Sequence, residues 1–415
     1  MRITRIFAVM ALVGGVSTPA AAEVPLKSPT EPVPSAVGVG MSEVSGPIYT
    51  TSSGMTLYST DLDERKEGVL GCTDKKFEKG QFPLPRAEFR KTCVDRWPPF
   101  YADAVAQPVG RWNLVARPDG RKQWSYDKRP LYLSTRDKVA GEVNGTMGFE
   151  RHEGWRTVAV PRRMPPGLKL VRKLDGLMLG DITDRLVFTP TSKSAANNAD
   201  FVPVEASELD LPFDEWTVTS RPDGIQQWAY NKKPLYRPKD IAHISQNVAS
   251  GKWQPIVIYK SSGKPKAITL HMTVPEIGWV YADPNGKTLY MMTCNEQALD
   301  RLPCDEVGDP ASYWSAMCGT AEQCAQEWRP LLAAASEEPV GPWKVAQVPS
   351  PPFKEVTGAY GVDVPTVSAW TFYGRPVYTF RSDKAPGEAL GHSIRGVGSE
   401  MGAIAVLGDS FPIAP

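Results

Sequence analysis

The sequence predicts a mainly β protein: three tandem antiparallel β-rich repeat modules with a few short helices. Three observations carry that expectation. Proline and glycine, 39 and 35 of 415 residues, punctuate the chain too often for long helices. A tryptophan-rich motif recurs at fixed offsets. Between turn signals, large and small side chains alternate with the period of a half-buried strand. A hydrophobic fraction of 41% excludes general disorder. With 47 basic against 46 acidic residues, the chain lacks the positive surplus that a nucleic-acid binder needs.

The N-terminus reads as an address. Arg2 and Arg5 precede an apolar run over residues 6–16, and Ala20, Ala21 and Ala22 follow. This is the layout of a secretory signal peptide over 1–22, cut before Glu23. The run is too short to cross a bilayer. No later stretch approaches the length of a transmembrane span, so the mature protein is expected to have none and to be periplasmic or secreted. No cysteine lies at the cleavage site, so no lipid anchor is expected. Residues 23–44, rich in Pro, Ser, Val and Gly, are expected to form a flexible leader.

Self-comparison sets the modules. The stretch from Trp112 through Arg117-Pro-Asp-Gly120 to Trp124 and Tyr126 recurs 104 residues later, from Trp216 through Arg221-Pro-Asp-Gly224 to Trp228 and Tyr230. The same offset carries Pro130-Leu-Tyr132 onto Pro234-Leu-Tyr236. A looser third copy runs from Trp343 to Trp370, Phe372 and Pro376-Val-Tyr378, with 15 extra residues around 349–365. An aromatic-x-Pro anchor lies 15 residues before each first tryptophan: Trp97-Pro-Pro99, Phe201-Val-Pro203 and Trp328-Arg-Pro330. The modules are expected at 45–162, 163–265 (degenerate, without cysteine) and 268–410.

Each module divides into two related halves. Gly54-Met-Thr-Leu-Tyr58 and Gly286-Lys-Thr-Leu-Tyr290 mark first halves; Arg129-Pro-Leu-Tyr132 and Arg375-Pro-Val-Tyr378 mark second halves. Arg-Pro-Asp-Gly joins two strands, because Pro fixes φ and Gly admits φ > 0. Residues 112–115, 122–126 and 131–133 therefore read as successive antiparallel strands, with a further strand at 155–160. Short helices fit before the aromatic-x-Pro anchors, at about 86–95 and 311–326.

Six cysteines in a secretory chain suggest disulfides. Tyr58 to Cys72 and Tyr290 to Cys304 are both 14 residues, and Cys93 to Trp97 and Cys324 to Trp328 are both four. Cys72 and Cys93 are alone in the first module and are expected to pair. By equivalence Cys304 pairs with Cys324, which leaves Cys294 with Cys318. Met291, Met292 and Cys294 are alternatively a run of soft ligands suited to copper.

Gly-x-Thr-Leu-Tyr, a cysteine four before Trp-Pro-Pro, Asp-Gly-x-x-Gln-Trp-x-Tyr and Pro-Leu-Tyr together resemble the bacterial secreted repeat of unknown function, also called lipoprotein 15. Its mark is a Tyr-x(4)-Asp motif. Tyr58 with Asp63, Tyr132 with Asp137 and Tyr378 with Asp383 fit it, and Tyr378 carries the family's second aromatic at Phe380. The middle module departs: Lys193 follows Phe188, and Ile241 follows Tyr236. Asn295 stands where the third module's first Asp is expected. The resemblance implies a small β-rich secreted module and no reaction.

The six motif residues are the binding candidates. Five residues apart, Tyr and Asp would point to opposite faces of one strand. The expected roles are a core tyrosine with its hydroxyl bonded and an aspartate capping loop N–H groups. Asp137, Glu142 and Asn144 form a weak calcium-loop pattern, which Asp383, Gly387, Glu388 and His392 of the third module do not copy cleanly. No Walker loop, nucleophile elbow or dinucleotide fingerprint occurs, and the four histidines do not recur across modules. The sequence requires no cofactor. It points to a non-catalytic binding or interaction module with an envelope protein or small ligand as partner. A metal- or cofactor-linked envelope protein with a redox role is the second reading.

Overall fold

The computed structural model describes residues 31–63, 70–75, 92–146, 151–152, 154–173, 176–240, 248, 250–273, 277–294, 321–334, 336–349, 366–395 and 399–404. Mainly β structure is what these residues form, in many small antiparallel sheets. The two short α-helices among them are Cys93–Arg96 and Ala321–Glu327. They overlap the ends of the two expected helices, of which residues 86–91 and 311–320 lie outside the described ones. Thr92 starts the first helix with a capping box, its side chain accepting from the Asp95 N–H while Asp95 accepts from the Thr92 N–H.

One arrangement occurs three times along the chain. It begins with a hairpin: Val37–Ser42 on Gly46–Thr51, Leu168–Lys173 on Gly176–Asp181, and Thr269–Met272 on Trp279–Ala282. A second hairpin follows: Trp112–Ala116 on Lys122–Tyr126, Trp216–Ser220 on Gln226–Tyr230, and Trp343–Pro349 on Thr366–Phe372. Trp112 faces Tyr126, Trp216 faces Tyr230 and Trp343 faces Phe372, so the looser third copy keeps the same register. Gly120 and Gly224 take φ of 81° and 85° in the Arg-Pro-Asp-Gly turns, which a side chain would strain. The next turns put two successive residues at positive φ: Asp127 and Lys128, Asn231 and Lys232, Tyr373 and Gly374. That is the two-residue turn whose twist matches paired strands.

The first hairpin corrects the expected leader. Residues 23–30 lie outside the described ones, but Val37–Ser42 is a strand, and Val37 and Val44 are buried. The glycines that made 37–42 look mobile are spacers. A Cβ on Gly38 would come within 3.0 Å of the Thr51 carbonyl oxygen, and one on Gly40 within 2.8 Å of Thr50 Cγ2.

After each hairpin an aliphatic–aromatic pair forms the central strand. The two central strands of each copy meet side by side: Tyr58 opposite Tyr132, Phe188 opposite Tyr236, and Tyr290 opposite Tyr378. Five of the hairpins, each with its central strand, close into a hydrogen-bonded triangle with a third segment. Leu57 N–H donates to Tyr49, Tyr49 N–H to Val158, and Val158 N–H back to Leu57, at 3.1, 2.8 and 3.0 Å. In the other half, Leu131 donates to Trp124, Trp124 to Phe100 and Phe100 to Leu131, at 2.9, 2.9 and 2.8 Å. Leu179, Val187 and Ile256 form the same ring, as do Trp228, Leu235 and Val204, and Trp370, Val377 and Leu331. The third segment always comes from the other half. Residues 97–102, which follow the first half in sequence, complete the second; residues 155–160, which follow the second, complete the first.

The core follows this exchange. Where the halves meet, Trp97 stacks on Trp155 with ring centroids 3.8 Å apart and planes 5° from parallel. Phe201 stacks on Trp253 at 3.7 Å and 7°. Met401 takes the second aromatic's place in the third copy, buried against Trp328 and Tyr290. A flexible thioether fills that gap readily.

A chain beginning at residue 45 is expected to be less stable than one beginning at 31. Burial of the Val37 and Val44 side chains alone is worth about 3 kcal/mol or more. Equal melting temperatures for the two chains would show that the strand is dispensable.

Candidate functional site

The motif residues are brought together, but not as the motif pairs them. The Tyr58 hydroxyl donates to Asp137 Oδ2 at 2.8 Å, and the Tyr132 hydroxyl donates to Asp63 Oδ2 at 2.9 Å. Each tyrosine is bonded to the aspartate of the other half. In the third copy Tyr290 donates to Asp383 Oδ2 at 2.8 Å. Tyr378 is buried beside Tyr290, and Asn295, where its reciprocal partner is expected, lies outside the described residues. Among the described residues the middle copy has no such pair: Phe188 lacks the hydroxyl, and Tyr236 accepts from Arg221 Nη1 at 3.0 Å.

Each aspartate also holds its loop. Asp137 Oδ1 accepts the Asn144 N–H at 2.8 Å, and the Gly145 N–H donates to the Tyr58 hydroxyl at 3.2 Å. Asp383 Oδ1 accepts the Leu390 N–H at 3.0 Å, and the Gly391 N–H donates to the Tyr290 hydroxyl at 3.3 Å. Asp63 Oδ1 accepts from the Gly71 and Cys72 N–H groups. The glycine is fixed by close approach rather than by φ. A Cβ on Gly145 would lie 2.8 Å from both the Tyr58 and Trp97 rings, and one on Gly391 2.6 Å from Trp328.

The two complete loops share a sequence pattern: Asp137-Lys-x-x-Gly141-Glu142 and Asp383-Lys-x-x-Gly387-Glu388. Glu142 Oε2 accepts the Lys138 and Val139 N–H groups, and Glu388 Oε2 accepts those of Lys384 and Ala385. The Glu142 carbonyl accepts from Thr56 Oγ1 at 2.7 Å, and that of Glu388 from Thr288 Oγ1 at 2.6 Å. In the calcium-type pattern, then, Asp137 and Glu142 accept N–H groups of their own loop, and Asn144 Nδ2 donates to the Arg136 carbonyl at 3.0 Å. Among the described residues no group of three or more His, Cys, Asp or Glu could hold a metal ion.

The soft-ligand run is split. Met291 packs with Trp343, Trp370 and Phe372, whereas Met292 packs with Tyr290, Trp328 and Phe380. Successive strand residues face opposite ways, so the two thioethers diverge. Cys72 and Cys93 form a disulfide. Cys324 is disulfide-bonded; Cys304, Cys318 and the side chain of Cys294 lie outside the described residues, and with them the pairings expected there.

The Arg-Pro-Asp-Gly-x-x-Gln motif also serves this site. Gln123 Nε2 donates to the Leu131 carbonyl at 2.6 Å, and its Oε1 accepts from Arg117 Nη1 at 2.6 Å. Arg117 Nη2 reaches the Cys72 carbonyl at 3.2 Å. Gln227 and Arg221 repeat the first two contacts. The motif thus ties the second hairpin to the central strand, a role its spacing alone did not show.

All six motif residues are buried, with exposures from 0% for Tyr58, Tyr132 and Asp383 to 6% for Asp137. Burial dominates their electrostatics. It pushes the Asp137 carboxyl up to about 7, against the lowering effect of the Tyr58 hydroxyl and the Asn144 N–H. Asp63 and Asp383 are raised for the same reason, and the Tyr58, Tyr132 and Tyr290 phenols are raised with them. What the arrangement can do is lock two halves together and hold a proton between phenol and carboxylate.

Residues 113–150 match the family model Lipoprotein 15, a secreted repeat of unknown function. No curated protein and no solved structure matches the chain. The matched stretch contains the second hairpin, Tyr132, Asp137 and Gly145, the parts of one half that build the lock. The secreted character of that family suggests an extracellular or envelope location. No helix among the described residues is long and apolar enough to cross a membrane.

Two predictions follow from the lock. Gly145→Ala is expected to destabilise the protein by about 1–3 kcal/mol, the usual cost of overpacking, measured by urea unfolding; a neutral result would mean that the rings yield. The second concerns pH. An aspartate near 3.9 when unfolded and about 7 when folded binds its proton more tightly in the native state. Its stabilising contribution is complete below about pH 4, falls as pH rises through 7, and is constant above. The stability of Asp137→Asn relative to wild type should therefore improve between pH 4 and 8; a gap that does not change with pH would contradict the assignment.

Proposed function

We propose that the protein is a non-catalytic binding scaffold of the periplasm, in which three tandem modules enclose a small polar ligand where they meet. The observation that supports this reading is a cavity of about 210 Å³ to which all three copies contribute. Glu43, Glu142 and Asn144 come from the first, Tyr259 from the middle one, and Lys344 and Tyr373 from the third. Ligand sites favour such junctions, where a few polar groups converge on a concavity. The Ser262 N–H donates to Glu43 Oε1 at 2.8 Å and fixes that carboxylate across the junction. The Lys344 side chain forms no hydrogen bond or ion pair among the described residues. A cavity lined by both carboxylates and an ammonium suits a small molecule bearing both charges.

The Tyr–Asp locks serve this function from a distance. Residues 139–144 form one wall, and Asp137 anchors them to Tyr58. The module division belongs to the same proposal, with the first module extended back to its hairpin at Val37. So do the disulfides Cys304–Cys324 and Cys294–Cys318.

The test uses full-length mature protein purified without chelators or metal affinity. Native mass spectrometry and melting are followed across a panel of amino acids and other small zwitterions. The expected result is a retained molecule, or a rise in melting temperature with one panel member, that is lost in Lys344→Ala and Glu43→Gln. Unliganded melting of each variant is recorded alongside, so that loss of binding is separated from loss of the Glu43–Ser262 contact. An empty mass with no shift from any compound would overturn the ligand reading.

A further inference from the structure

The first copy contains an unbroken path of oxidisable rings that the binding reading does not use. Tyr58 lies edge-on to Trp97 with centroids 5.3 Å apart. Trp97 stacks on Trp155 at 3.8 Å. Trp155 meets Tyr132 edge-on at 5.3 Å. All four are buried, and each terminal phenol donates to a carboxylate that takes no other side-chain hydrogen bond among the described residues: Asp137 Oδ2 at one end and Asp63 Oδ2 at the other.

Packing alone does not require this set of residues. The middle copy keeps the geometry with Phe188, Phe201, Trp253 and Tyr236, at centroid separations of 5.8, 3.7 and 5.0 Å. It fills the same core with two phenylalanines, and its single phenol is bonded to Arg221 instead of a carboxylate. A carboxylate buried against the rings costs stability, and the middle copy bonds none to its phenol among the described residues. The third copy is intermediate: Tyr290 lies 5.3 Å from Trp328 and donates to Asp383, and Met401 replaces the second indole.

We propose that Tyr58, Trp97, Trp155 and Tyr132 form a one-electron relay, with Asp137 and Asp63 as proton acceptors. The reaction partner is an outer-sphere one-electron oxidant strong enough to oxidise phenol. One electron leaves the ring path and reduces the oxidant by one unit. The stacked indoles share the resulting hole between the two halves. It settles on a tyrosine, because an oxidised phenol becomes a strong acid and its O–H bond breaks. The proton passes to Asp137 Oδ2 from Tyr58, or to Asp63 Oδ2 from Tyr132, leaving a neutral phenoxyl radical beside a protonated carboxyl. Return of one electron from a reductant restores the O–H bond with the same proton. Such a path carries oxidising equivalents through the protein core without breaking a covalent bond between heavy atoms.

The test oxidises the full mature chain with photogenerated tris(bipyridyl)ruthenium(III) and reads radicals by transient absorption and electron paramagnetic resonance. Wild type should yield a phenoxyl radical whose formation slows in deuterium oxide. Tyr58→Phe with Tyr132→Phe, which imitates Phe188, should lose most of the phenoxyl signal and leave indole radical. Asp63→Asn with Asp137→Asn should slow phenoxyl formation at least about tenfold, equivalent to about 1.4 kcal/mol. The phenoxyl yield staying unchanged in the double tyrosine variant would assign oxidation to other tyrosines and overturn the relay. Absence of an isotope effect in wild type would overturn the carboxylates' role, a measurement that needs no variant to fold.

Discussion

The structure depends on a reciprocal exchange of chain between two halves. Tyr49 and Leu57 can close their hydrogen-bonded triangle only with Val158, which lies beyond the other half's central strand. Trp124 and Leu131 can close theirs only with Phe100, which the first half sends across. Each ring joins one residue from each of three strands through its own N–H and C=O, so no buried peptide group in it is left over. Neither half can complete its core alone. The stacked Trp97–Trp155 pair sits where the two crossing segments meet.

The Tyr–Asp pairs obey the same exchange. Asp137 lies on the segment leaving the second half and Asp63 on the segment leaving the first, so each reaches the other half's tyrosine. A lone buried carboxylate would be costly. Here Asp137 gains a phenol O–H and a backbone N–H, and the loop returns a second N–H to the phenol. Hydrogen bonds to charged groups are worth about 1.5–3 kcal/mol each. That explains how a group whose proton affinity is raised by burial is retained in the core. The middle copy, whose sequence lacks the Asp-Lys-x-x-Gly-Glu pattern, keeps the ring stack.

Much of this was legible because it is local. The Arg-Pro-Asp-Gly turns, the register of Trp112, Trp216 and Trp343, and the Cys72–Cys93 pair follow from turn chemistry and equal spacing. The Val37–Ser42 strand was hidden by glycines whose need appears only against Thr50 and Thr51. The crossed partners were hidden by distance along the chain: Tyr58 and Asp137 are 79 residues apart, whereas each motif offers a nearer aspartate. The period-2 rule did contain a clue, since residues five apart on a strand face away from one another. The Asp-Lys-x-x-Gly-Glu loops carry the residue types of a metal loop, and the capping of backbone N–H groups by Glu142 and Glu388 appears only in the folded turn.

The most direct test of this account is a pair of double-mutant cycles on unfolding free energy. One cycle combines Tyr58→Phe with Asp137→Asn, partners across the halves. The other combines Tyr58→Phe with Asp63→Asn, neighbours within one motif. The crossed cycle should show a coupling of about 1–3 kcal/mol and the motif cycle close to zero. Coupling within the motif and none across the halves would contradict the exchange.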